Sequence, residues 1–152
     1  MRAICMRLIL TILLLMFGHA VAAQYSAPIS DTCGRFGIAC YHGGSPQNSM
    51  LQTIYLVNKQ DKSKLVSWLK SNIPENQVHG YIGLFFMQKN GFALSSEETS
   101  LMKKVASLKS LVDFCQGCTQ FGKEKISTIL RKKSVELYYN WYLKAGYADL
   151  LK

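Results

Sequence analysis

Residues 75–90 constrain the fold more than any other stretch of this chain. Val78, Tyr81, Ile82, Phe85 and Phe86 recur at the spacing that lines one face of an α-helix. Leu84 and Met87 carry apolar surface beyond that face, so the helix is predicted to be covered on most sides. Pro74 precedes it, Glu75 suits its positive N-terminal end, and Asn90-Gly91 supplies a stop. Gly80 and Gly83 lie inside, where each costs about 1 kcal/mol against alanine on an exposed helix. Two glycines on a buried helix predict a neighbouring backbone packed close against them. The stretch is a core element and carries no readable chemistry.

The chain opens with a targeting signature. Arg2 and Arg7 precede an apolar run at 8–17, and Val21-Ala22-Ala23 places small residues at the cleavage positions, with Gln24 as the new N-terminus. The run is shorter than the roughly 20 residues of a membrane span, which sets a cleaved signal ahead of an uncleaved anchor. Residues 1–23 therefore read as a signal peptide and the mature chain as secreted or periplasmic, with enough length for one hydrophobic core. Eighteen basic residues against nine acidic ones give a formal net charge of +9. After the signal only Arg35 and Arg131 are arginine. Lysine is the hydrated surface cation, whereas bidentate phosphate recognition favours arginine. The charge thus reads as attraction to anionic surroundings, and a nucleic-acid partner has little support.

Residues 24–44 form a turn-rich, irregular arm with glycine at 34, 37, 43 and 44. Ser45-Pro46 is a helix start, with a period running to about Lys59. Asp61 caps a second helix, and Asn72-Ile73-Pro74 ends it. Ser95 and Glu98 make a capping box for a helix whose stripe is Leu101, Met102, Val105, Leu108 and Val112. The pattern breaks over 113–122. From Lys123 a helical period runs through Ile126, Ile129, Leu130, Leu137, Tyr138, Trp141 and Tyr142, with a break or kink near 132–134. Apart from 111–115, no stretch alternates as a strand does. The expected fold is all-α, a compact bundle of five or six helices in one domain over 45–152, behind a disulfide-pinned N-terminal segment.

Leu65, Trp68 and Leu69, the turn Asn72-Ile73-Pro74, and then Val78, Ile82 and Phe86 at four-residue steps resemble a HEAT-type helical hairpin. Ile82 and Phe86 are larger than that family favours, and His79 stands where it has arginine. The likeness spans about 25 residues with no clear second copy, whereas repeat arrays need about three. It implies helical-hairpin architecture and a protein-binding scaffold in place of a catalyst.

Cys5 leaves with the signal, and Cys33, Cys40, Cys115 and Cys118 remain. An even number in an exported chain predicts two disulfides, with three possible pairings. Sequential pairing, 33–40 and 115–118, needs only local turns and is the expected one. A crossed pairing would stabilise more, by about 4–5 kcal/mol. Cys115-Gln-Gly-Cys118 also raises an alternative, a thiol–disulfide oxidoreductase with Cys115 attacking and Cys118 resolving. Phe114 fits the aromatic position of such motifs, but no proline follows Pro74 and no βαβ pattern surrounds the pair. Thr119 replaces the histidine that c-type haem attachment needs, and paired cysteines leave no thiolates for zinc. No cofactor is expected.

His42 and His79 show no metal-ligand spacing, and His79 reads as a polar residue flanking the core stripe. Most acids sit at helix starts, where the macrodipole accounts for them. What remains is a surface. Lys123, Lys125, Arg131, Lys132 and Lys133 make the last predicted helix basic. Tyr138, Trp141 and Tyr142 share a buried face, while Tyr139 and Tyr147 lie off it and extend an aromatic patch of the kind that anchors interfaces. Such a surface suits an acidic protein or an anionic envelope polymer. The expected function is a non-catalytic binding, inhibitor or adaptor module.

Overall fold

A computed structural model describes residues 34–38, 40, 46–116 and 120–146. Helix α1 (Asn48–Asn58) begins later than Ser45-Pro46 suggests, because Gln47 is still extended at φ −65° and ψ 152°. The Gln47 side chain makes no cap; its amide instead donates to Cys115 Sγ at 3.7 Å. Ser45 lies outside the described residues.

At the end of α1, Gln60 N–H donates to the Val57 carbonyl at 3.0 Å and Asp61 N–H to the Leu56 carbonyl at 2.9 Å. This is the paired pattern of a Schellman stop, with Gln60 at the left-handed position, φ 56°. Asp61 then caps α2 (Lys62–Leu69) by accepting from Lys64 N–H at 3.0 Å. Helix α3 (Pro74–Lys89) follows with proline in its first turn and Glu75 at its positive end. It stops in the same way as α1, with Gly91 at φ 91° and Phe92 N–H donating to the Met87 carbonyl at 3.0 Å. Helices α2 and α3 pack antiparallel as a hairpin, for Gly80 meets the backbone of Leu69 and Leu65 while Gly83 meets the Leu65 side chain. The close approach expected of those glycines is there.

Helix α4 (Ser96–Ala106) carries the full capping box between Ser95 and Glu98. It ends before Leu108 and Val112, which the sequence pattern had assigned to the same stripe. Those residues belong to the approach and body of strand β1 (Leu111–Gln116), which pairs antiparallel with β2 (Gln120–Lys125) in the register Leu111↔Lys125 to Gln116↔Gln120. The all-α expectation is therefore corrected: the fold is mostly helical with one two-stranded hairpin. Lys123 and Lys125 lie on β2 and not on the last helix. Helix α5 (Ile126–Ile129) is a single turn and α6 spans Lys132–Lys144, so the break expected near 132–134 falls just ahead of those residues, at Leu130 and Arg131.

The core is lined by Trp68, Leu65 and Leu69 of α2, Ile82, Leu84 and Phe86 of α3, Met50 and Leu56 of α1, and Tyr142 of α6. Phe36, from the N-terminal arm, completes it. Its N–H donates to the Asp113 carbonyl at 2.8 Å and its carbonyl accepts from Cys115 N–H at 3.0 Å, so the arm lies parallel to β1. That register brings Cys40 to Cys115, and the two are disulfide-bonded with Cα atoms 5.7 Å apart. Sequential pairing is thereby overturned at both of its bonds. Local turns favoured short loops, but backbone pairing of the arm with β1 decided the partner. Cys33 and Cys118 lie outside the described residues.

Candidate functional site

Three helices leave a groove between them. Tyr81, Phe85 and Gln88 of α3 form one side, Thr99, Met102, Lys103, Ala106 and the following Ser107 another, and Lys132, Val135 and Glu136 of α6 close it, with Leu94 at one end. Its volume is about 520 Å³, within the 300–1,000 Å³ usual for ligand sites. The sequence put Tyr81 and Phe85 in the buried stripe, yet both are only partly covered. The coverage predicted for α3 fails on this flank, because the part of α6 that lines it offers Val135 and the polar Lys132 and Glu136.

The charges around the groove are unequal. Glu136 is already engaged by Lys89 at 2.8 Å, and Lys89 also lies over the Phe85 ring. Glu98 and Glu97 are held by Lys62 at 3.2 Å and Lys70 at 3.0 Å. Lys103 and Lys132 are exposed and have no carboxylate partner among the described residues. On the outer side of α6, Lys132, Lys133, Glu136, Leu137 and Asn140 line a second depression, where Leu137 is 58% exposed. Apolar floor and unpaired cations therefore meet along the first turns of α6.

No known family, curated protein or solved structure matches this chain. The site has to be read from its own residues.

Arg131 occupies the N-cap position of α6 without a side-chain cap, and Lys132 and Lys133 fill its first turn, which holds no acidic residue. All three are exposed, as are Lys123 and Lys125 across the hairpin and α5. Tyr139 differs from its expected role in an open aromatic patch. It is partly buried, its ring is tilted against Phe86 at 5.5 Å and stacked on Tyr142 at 5.9 Å, and its hydroxyl donates to Asn90 Oδ1 at 2.8 Å. Tyr147 and His42 lie outside the described residues. Tyr138 is core, as its spacing implied. Burial, joined by the nearby Glu124 carboxylate, pushes its phenol up to about 12.

His79 is fully buried and does not merely flank the core. Its Nδ1 shares a hydrogen bond of 2.9 Å with Thr53 Oγ1, while Nε2 has no partner in hydrogen-bond geometry. Burial pulls its pKa down to about 3, against a smaller opposing influence from the backbone of Arg35 and Gly34. The ring is neutral and serves packing, with Phe36 set edge-on at 5.4 Å. The thiol that disulfide exchange would need, Cys115, is buried and bonded to Cys40. No group of three metal-ligating side chains occurs among the described residues.

The groove residues that the sequence reading gave no site role include Gln88, Thr99, Lys103, Ala106, Val135 and Glu136. A signal for some of them existed. Lys103 and Ala106 recur at helical spacing beside Met102, on the flank of a stripe otherwise read as core.

Proposed function

We propose that this protein is a non-catalytic binding module, an adaptor or inhibitor, that docks an acidic partner on the basic N-terminal end of α6. One observation carries the reading. Arg131, Lys132 and Lys133 stand at the positive end of a helix dipole, where each cation costs about 0.3–1 kcal/mol and an acid would gain as much. They have no carboxylate partner among the described residues to offset that cost. A local rule broken without structural compensation is expected where function needs the residue. The exposed Leu137 and the apolar groove beside these cations give a docking partner something to bury.

The reading also takes the chain to be exported. The character of residues 1–23 and a Cys40–Cys115 disulfide both suit an oxidising compartment. An anionic polymer of the cell envelope is the other class of partner such a surface suits.

The triple variant R131E/K132E/K133E tests the proposal by two measurements of opposite sign. Capture of the natural partner from its own envelope is expected to be lost, while thermal stability stays level or rises, because the new acids suit the helix dipole. Retained capture would end the proposal, and so would a clear fall in stability, which would make these cations structural.

A further inference from the structure

The groove between α3, α4 and α6 has dimensions and a charge pattern that narrow the partner. Tyr81 to Gln88 and Thr99 to Ala106 each span about two helical turns, so its walls are about 10 Å long. The wall residues recur at helical spacing: Tyr81, Phe85 and Gln88 on one side, Thr99, Met102, Lys103 and Ala106 on the other. A groove of this length takes the side chains of one apolar helix face, such as those at i, i+4 and i+7. Two of its three sides carry a free cation, Lys103 on α4 and Lys132 on α6. The one acid in the lining, Glu136, is neutralised by Lys89.

Resting on the binding-module reading above, we infer that this groove receives an amphipathic α-helical segment of a partner protein whose apolar face is flanked by carboxylates. The apolar residues of that helix pack on Tyr81, Phe85, Met102, Ala106 and Val135. Its acids meet Lys103 and Lys132 on either side. The charge pattern selects the sign of the partner's flanks, and the shape selects its conformation. Ala106 is the smallest side chain of the lining, so a bulkier residue there reduces the space the groove offers.

The test selects binders from a displayed library of random peptides, about four helical turns long, panned on the disulfide-intact protein. The expected consensus is apolar at i, i+4 and i+7 with Asp or Glu beside that face. Ala106→Trp and K103E/K132E are each expected to weaken the winning peptides about tenfold or more, with far-UV dichroism unchanged. R131E/K133E, which spares the groove, is expected to weaken them far less. Peptides that bind without acids, or that tolerate both groove variants, would overturn the helix-in-groove assignment. Loss through R131E/K133E alone would do the same while leaving the basic-surface reading intact. Displacement of the peptides by anionic phospholipid vesicles at equal potency would assign the groove to a membrane surface and overturn it too. Deletion of 147–152 is expected to leave affinity unaltered; a gain would show that the chain's own tail fills the groove.

Discussion

Gly80 and Leu69 are in such close register that a methyl group on the glycine would stand 2.5 Å from the Leu69 backbone nitrogen. The Leu65 carbonyl oxygen would be 2.7 Å away on the same side. Backbone cannot swing aside as the end of a side chain can. On an exposed helix, glycine to alanine gains about 1 kcal/mol. Here the sign reverses. Gly80→Ala should lower unfolding free energy by about 2 kcal/mol through overpacking. Urea denaturation reads the shift in midpoint, and a gain in stability would mean that α2 and α3 are further apart than described.

Gln60 offers the opposite opportunity. It occupies the left-handed position of the α1 stop at φ 56°, whereas the matching position after α3 is Gly91. A side chain there costs about 1–2 kcal/mol, part of which glycine returns as extra freedom in the unfolded chain. Gln60→Gly is therefore expected to raise stability by roughly 0.5–1 kcal/mol. Thermal denaturation of the single variant decides it.

The Cys40–Cys115 bond joins residues 75 apart in sequence. In the chain-entropy account a loop of this size contributes about 4 kcal/mol. C40S/C115S should lose about that much, whereas Cys118→Ser should keep the link. Proteolytic mapping without reductant should recover one peptide pair joining the arm to β1. A peptide with Cys115 and Cys118 bonded to each other would contradict the fold directly.

His79 makes stability depend on acid. Its pKa is lowered from 6.5 to about 3 in the folded chain. Between those values the unfolded chain binds the proton and the folded chain does not, so stability falls as pH falls. The contribution is complete above about pH 6.5, and about 2 kcal/mol of it is lost by pH 5. Urea midpoints at pH 7 and pH 5 should differ accordingly, and His79→Gln should flatten the difference although it weakens the fold at both.

The elements legible in the sequence are those whose ends are written in local chemistry. Pro74 and Asn90-Gly91 bracket α3, Asp61 caps α2, and Ser95 with Glu98 opens α4. The hairpin was hidden for a physical reason. Strand β2 reads Gln-Phe-Gly-Lys-Glu-Lys, is mostly solvent-facing, and so has neither a helical nor an alternating apolar period. The helical spacing of Ile126, Ile129 and Leu130 then appeared to extend α6 backwards through it. The disulfide partner was hidden because it depends on Phe36 pairing with β1, a contact between distant segments. The basic half of the candidate site could be read from composition; its apolar half could not. Tyr81 and Phe85 look like core until the position of α6 shows which flank of α3 stays open.

The arm that Phe36 anchors also sets an order of events during biogenesis. Cys40 leaves the ribosome well before Cys115, and until then α1 to α4 must hold one another without a covalent lock. Any chain cut short ahead of Cys115 is left with a sulfur that has lost its mate and an aromatic plug with no strand to rest on. Loss of β1 therefore removes the covalent link and the seat of the arm together.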